Sequence, residues 1–116
     1  MIYLASPFSH PDPGIRAARV DAALRATVAL FNHGRVVYSP IVYSAPLFDA
    51  GVGATGGYEE WEALDRRMIA ACDFLWVLSI EGWRESRGIR AEVAYASELN
   101  KTMRHVSLDQ CLRGDL

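Results

Sequence analysis

The run "DFLWVLSI", residues 73–80, is the most hydrophobic stretch of the chain. Its apolar residues follow one another instead of alternating, so neither face of a strand built from them can be left to water. That suits a central strand of a parallel sheet, covered by helices on both sides. Before it, Trp61, Leu64, Met68 and Cys72 recur at helical spacing, which predicts a helix from about Tyr58 to Cys72. After it, "EGWRES" reads as a loop. Ser86 is placed to cap a second helix that runs to about Asn100.

The rest of the chain alternates in the same way. "IYLA" (2–5) is a short apolar strand that stops at the turn-rich "SPFSHPDPG". From Ile15 to Asn32 the residues Val20, Leu24, Val28 and Phe31 recur at helical spacing, and Gly34 follows as a C-cap. "VVYSPIV" (36–42) reads as a second strand weakened at its end by Pro40, and residues 44–57 read as a flexible loop. "TMRHVSL" (102–108) is a last, weaker strand, followed by a tail expected to fray up to Leu116. This order predicts an α/β protein with one domain over residues 1–116. It would be doubly wound in the Rossmann or flavodoxin-like manner, with about four to five parallel strands and helices on both faces. In such sheets ligands bind beyond the carboxyl ends of the strands, where the loops at 6–14, 43–57 and 81–87 should gather.

Composition narrows the function classes. The net charge is −2 and the 12 basic residues are scattered, so no electrostatic footprint for a nucleic-acid polymer is present. No apolar run approaches the roughly 20 residues that cross a bilayer. Two distant cysteines, Cys72 and Cys111, and a start without signal-peptide character lead to the expectation of a reduced, cytoplasmic protein. His10, His33 and His105 have no metal-site spacing. "GVGATGG" carries Gly51, Gly53 and Gly56 in the dinucleotide spacing but does not join a first strand to a helix. It reads instead as a mobile flap over a site.

Two carboxylates break the pattern. Glu92 lies three residues after Ile89 and four before Ala96, on the inward stripe of its helix. Asp65 lies four after Trp61 and three before Met68, beside the stripe of the preceding helix. Two partly desolvated carboxylates near one crevice are what glycosidic chemistry requires. The alternative is that Arg66, Arg67, Arg87 or Arg90 neutralises them at the helix surface. Ser86 and Gly88 open the helix of Glu92 as a Ser-x-Gly turn, either a plain N-cap or an anion-binding helix start. Ser6 and Phe8 lie in the first loop at the same edge. Tyr3, Phe8, Tyr43, Tyr58 and Trp83 are aromatics near it, some of which can stack a base, although a tyrosine inside a strand, as Tyr3 is, more often belongs to the core.

"IYLASPFSH", "VVYSPIVYSAPL", "WEALDRRMIAACDFLWVL" and "EGWRESRGIRAEVAYA" together resemble an uncharacterised bacterial and phage domain family of the nucleoside 2-deoxyribosyltransferase-like superfamily. The resemblance runs from Ile2 to about Val106. It implies that Glu92 is the nucleophile at C1′ of a 2′-deoxyribosyl group and that Asp65 binds the sugar hydroxyls or helps in proton transfer. It also makes Tyr3 a contact of Glu92 or of the sugar, with Ser86, Gly88, Ser6 and Phe8 as further substrate-binding residues. Members that act on nucleoside 5′-monophosphates carry Ser where base-exchanging members carry Asp. A hydroxyl at a helix start attracts a phosphate that a carboxylate repels, so Ser86 tilts the expectation to a nucleotide N-hydrolase. The alternatives are a base-exchanging deoxyribosyltransferase and a non-catalytic nucleotide-binding module. No cofactor or metal is implied, the partner is a small nucleoside or nucleotide, and a homodimer or higher homo-oligomer is expected.

Overall fold

The computed structural model describes residues 1–51 and 58–116. The elements run β1 (Ile2–Ala5), α1 (Pro13–Asn32), β2 (Val37–Tyr38), α2 (Pro40–Asp49), α3 (Tyr58–Ala71), β3 (Phe74–Leu78), α4 (Arg87–Glu98), β4 (Thr102–Val106) and α5 (Leu108–Arg113). The four strands form one sheet in the order β2-β1-β3-β4, and every pairing is parallel. The chain is thus a doubly wound α/β domain, with the central strand where the run 73–80 required it. Ala5 lies beside Val77, and Val77 beside His105.

Alternation along β1 and β3 sorts the core into two layers. Ile2, Leu4, Trp76 and Leu78 pack with Ala26, Ala29, Leu30 and Cys111 under α1 and α5. Tyr3, Ala5, Leu75 and Val77 pack with Ile69, Cys72, Ile89 and Ala96 under α3 and α4. Strand order reverses between β1 and β3, the position at which such sheets open a crevice. The two cysteines are free and buried in opposite layers.

Four expectations are corrected. The second strand keeps only Val37 and Tyr38, because Ser39 caps a helix through the Val42 amide and Pro40 takes its first position. A proline there has no amide to lose and a backbone already set for the helix. Residues 44–49, read as loop, therefore belong to α2. Helix α1 starts at Pro13, before Ile15, because Asp12 accepts from the Gly14 amide. The tail does not fray: Ser107 and Gln110 form a reciprocal capping box and Gly114 closes α5 at φ 74°. The flap read into residues 52–57 and the side chain of Tyr58 lie outside the described residues.

The apolar positions that mark α1 are not the side it buries. Ala23, Ala26, Ala29 and Leu30 face the sheet, whereas Leu24, Val28 and Phe31 are 45%, 50% and 52% exposed. Small residues let the helix axis approach a sheet whose own Leu4, Trp76 and Leu78 already fill the layer.

Candidate functional site

Tyr3, Asp65 and Glu92 come together on the α3/α4 side of the sheet. Tyr3 is fully buried in β1, and its hydroxyl donates to Glu92 Oε2. Glu92 keeps the inward position its spacing indicated, between buried Ile89 and Ala96 on α4. Asp65 lies one turn before buried Ile69 and two before buried Cys72 on α3. Between the helices a cleft of about 90 Å³ is lined by Trp61, Asp65, Arg66, Gly88, Glu92 and Tyr95, among others.

Neither carboxylate is in a salt bridge among the described residues. Arg66 turns instead to Glu62 at 3.2 Å and lies over the Tyr95 ring at 4.9 Å. The Arg90 guanidinium donates to the carbonyl of Arg84. The competing account, neutralisation by Arg66, Arg67, Arg87 or Arg90, is therefore not what the described residues contain: none of the four forms a salt bridge with either acid.

Burial consequently decides their protonation. It raises Glu92 to about 8 against the opposing hydrogen bond from Tyr3, with the charge of Asp65 adding to the rise. It raises Asp65 to about 6, again opposed by the Tyr3 hydroxyl, while Glu62 adds to the rise. Burial also pushes the Tyr3 phenol far up, and both carboxylates add to that shift, so Tyr3 serves as a permanent donor. The cleft therefore holds two acids that ionise within and just above the neutral range, beside a hydroxyl that does not.

Gly88 and Ser86 are brought to the same place by the start of α4. Ser86 caps the helix by accepting from the Ile89 amide at 3.2 Å. A Cβ on Gly88 would lie 3.8 Å from Ser86 Oγ and 3.9 Å from Glu92 Oε1, so the cap and the acid flank one glycine. Accepting with a lone pair leaves the Ser86 proton free to be donated. The capping role is thus present; it takes up the Ile89 amide and leaves the Ser86 hydroxyl proton uncommitted.

The other sequence candidates are placed differently. Ser6 is buried just past β1, with no hydrogen-bond partner for its hydroxyl among the described residues. Phe8 offers its backbone carbonyl to Arg19 at 3.5 Å, and neither Ser6 nor Phe8 lines the cleft. His10 lines a separate depression of about 250 Å³ with Ile15, Arg19, Ile80 and Glu81. Trp83 packs on the ring of His105 at 4.8 Å between centroids and does not line the cleft.

Sequence reasoning did not place Tyr38 at the site. Its ring lies 5.8 Å from that of Tyr3 and 6.1 Å from that of Tyr43, and its buried hydroxyl has no partner among the described residues. Burial raises its pKa, with Asp65 the next cause. The available signal was its place one residue past Val37 in the strand that pairs with β1, which puts it beside Tyr3 in register.

No helix among the described residues is long and apolar enough to cross a membrane. No curated protein matches the sequence. A family model does match, over residues 1–107, which span every element of the sheet and both carboxylates. The chain therefore belongs to the family described as Domain of unknown function (DUF1937).

Proposed function

We propose that the protein cleaves the N-glycosidic bond of a (deoxy)nucleoside 5′-monophosphate and releases the free base. The observation that carries this reading is the pair Asp65 and Glu92, two desolvated acids on one cleft, neither in a salt bridge among the described residues and one of them held by a buried tyrosine. Breaking the bond between C1′ and the base leaves positive charge on the sugar ring, and a carboxylate in a water-poor cleft stabilises it strongly.

In this reading ionised Glu92 attacks C1′, the C1′–N bond breaks, and its electron pair leaves with the base, which takes up a proton. Water then attacks C1′ of the glycosyl ester, releasing the 5-phosphosugar and restoring the carboxylate. Asp65 binds the sugar hydroxyls or handles the proton. Tyr3 fixes the rotamer of Glu92. The Ser86 hydroxyl and the amides of Arg87 and Gly88 at the start of α4 take the phosphate, the favourable polarity for a helix start. The cleft is smaller than the roughly 300 Å³ or more of a site that encloses a drug-sized ligand. It accordingly holds the sugar, with the base and phosphate toward its open side. Assembly of identical chains and a reduced, cytoplasmic setting belong to the same reading.

The test is incubation of purified protein with nucleosides and their 5′-monophosphates, with and without a free acceptor base, followed by chromatography. Free base from monophosphates without acceptor supports the hydrolase. Exchange that needs an acceptor moves the protein to the transferase alternative. Tight nucleotide binding with no base released makes it a binding module.

A further inference from the structure

The outward side of α1 carries a pattern that its role in this domain does not use. Val20, Leu24, Val28 and Phe31, with Ala17, fall within one stripe of the helix. Leu24, Val28 and Phe31 are about half exposed. Thr27, on the border of the stripe, turns its hydroxyl back to the Ala23 carbonyl at 2.7 Å and so presents its methyl outward.

The stripe is complementary to itself when reversed about Leu24. Val20 and Val28 stand four residues on either side of it, and small Ala17 and large Phe31 stand seven on either side. A second α1 laid antiparallel across it therefore meets leucine with leucine, valine with valine, and phenylalanine with alanine. The charges agree. Exposed Asp21 and Arg25 lie on the same flank, and neither has a salt-bridge partner among the described residues. A two-fold axis brings like flanks together, so Asp21 of each copy comes within reach of Arg25 of the other. Such an isologous contact closes on itself.

We infer that α1 is the two-fold interface of a homodimer of this chain, centred on Leu24 and flanked by two reciprocal Asp21–Arg25 ion pairs. It uses the face of α1 turned away from the sheet, whereas the carboxylate cleft lies across the sheet. The place of the interface therefore does not depend on the catalytic roles given to the cleft, and the two are tested apart.

Sedimentation equilibrium of the native chain tests it, together with cross-linking. At the usual separation of packed helices the two Leu24 Cα atoms lie about 4–5 Å apart, within disulfide reach. Oxidised Leu24→Cys is expected to run as a covalent dimer, since native Cys72 and Cys111 are buried. Leu24→Asp is expected to sediment as a folded monomer, because nearly half of Leu24 is already exposed. Asp21→Arg and Arg25→Asp should each weaken the dimer at least tenfold, and the double exchange should restore it. A native chain that sediments as a monomer overturns the inference. So does a dimer that Leu24→Asp leaves intact and Leu24→Cys does not cross-link.

Discussion

The hydroxyl of Tyr3 on the first strand donates to the carboxylate of Glu92 on the fourth helix, two side chains 89 positions apart in sequence. The bond sits on a conflict: burial favours the protonated acid, and the phenol favours the ionised one. Tyr3→Phe removes the donor and keeps the ring that packs against Tyr38. We expect the variant to fold, to release base about tenfold more slowly at pH 7, and to recover much of the loss at higher pH. Rates measured across pH on both proteins check this, and an equal loss at every pH would mean that Tyr3 does not act through ionisation of Glu92.

The pH profile of the native protein follows from the same group. If the ionised form of Glu92 attacks C1′, kcat/KM for base release rises with pH and levels off above about 8. Asp65 is already ionised over most of that rise, since its carboxyl titrates near 6. A profile that falls between pH 6 and pH 8 would falsify the nucleophile assignment and make Glu92 a proton donor.

Much of this was legible in the chain, and the gaps have local causes. The unbroken run at 73–80 and the helices on either side of it determine the sheet and its parallel sense, because each element declares itself by its own period. Glu92 and Asp65 were legible as charges on apolar stripes. Their meeting with Tyr3 was legible only through the family resemblance; periodicity does not give it, since a tyrosine inside a strand reads as core until the sheet order is known. Ser39-Pro40 was misread because Pro40 was weighed as a strand breaker when it opens a helix. Helix α1 was located by its larger apolar residues, which proved to be the outward ones. Periodicity gives the angle of a stripe but not which of two stripes meets the sheet.

Glu92 also links stability to pH, and the sign can be worked out. Its folded pKa of about 8 lies above the ordinary 4.5, so between those values the folded chain holds a proton that the unfolded chain has lost. This contribution to stability is full below about 4.5 and is lost as pH rises through about 8. Glu92→Gln keeps the shape and removes the titration. We expect it to match the native protein near pH 4 and to exceed it by about 2 kcal/mol at pH 9, discounted for the water that the open cleft leaves around the carboxylate. Thermal melts at the two pH values check this, and equal melting temperatures at pH 9 would show that Glu92 ionises without cost. The same variant should release no base.

The last helix gives a prediction independent of the site. Ser107 accepts from the Gln110 amide at 3.0 Å, and the Gln110 side chain accepts from the Ser107 amide at 2.9 Å. These bonds hold α5 against α1 with Cys111 buried beneath it. Ser107→Ala removes one half of the box, a loss of about 1 kcal/mol. For a domain of this size that lowers the melting temperature by about 4 °C, with base release unchanged well below the transition. Ser107→Asp keeps an acceptor at the cap and should restore most of the loss. If Ser107→Ala melts with the native protein, the end of the chain adds nothing to the cooperative fold, and the fraying tail expected from sequence would be the better description.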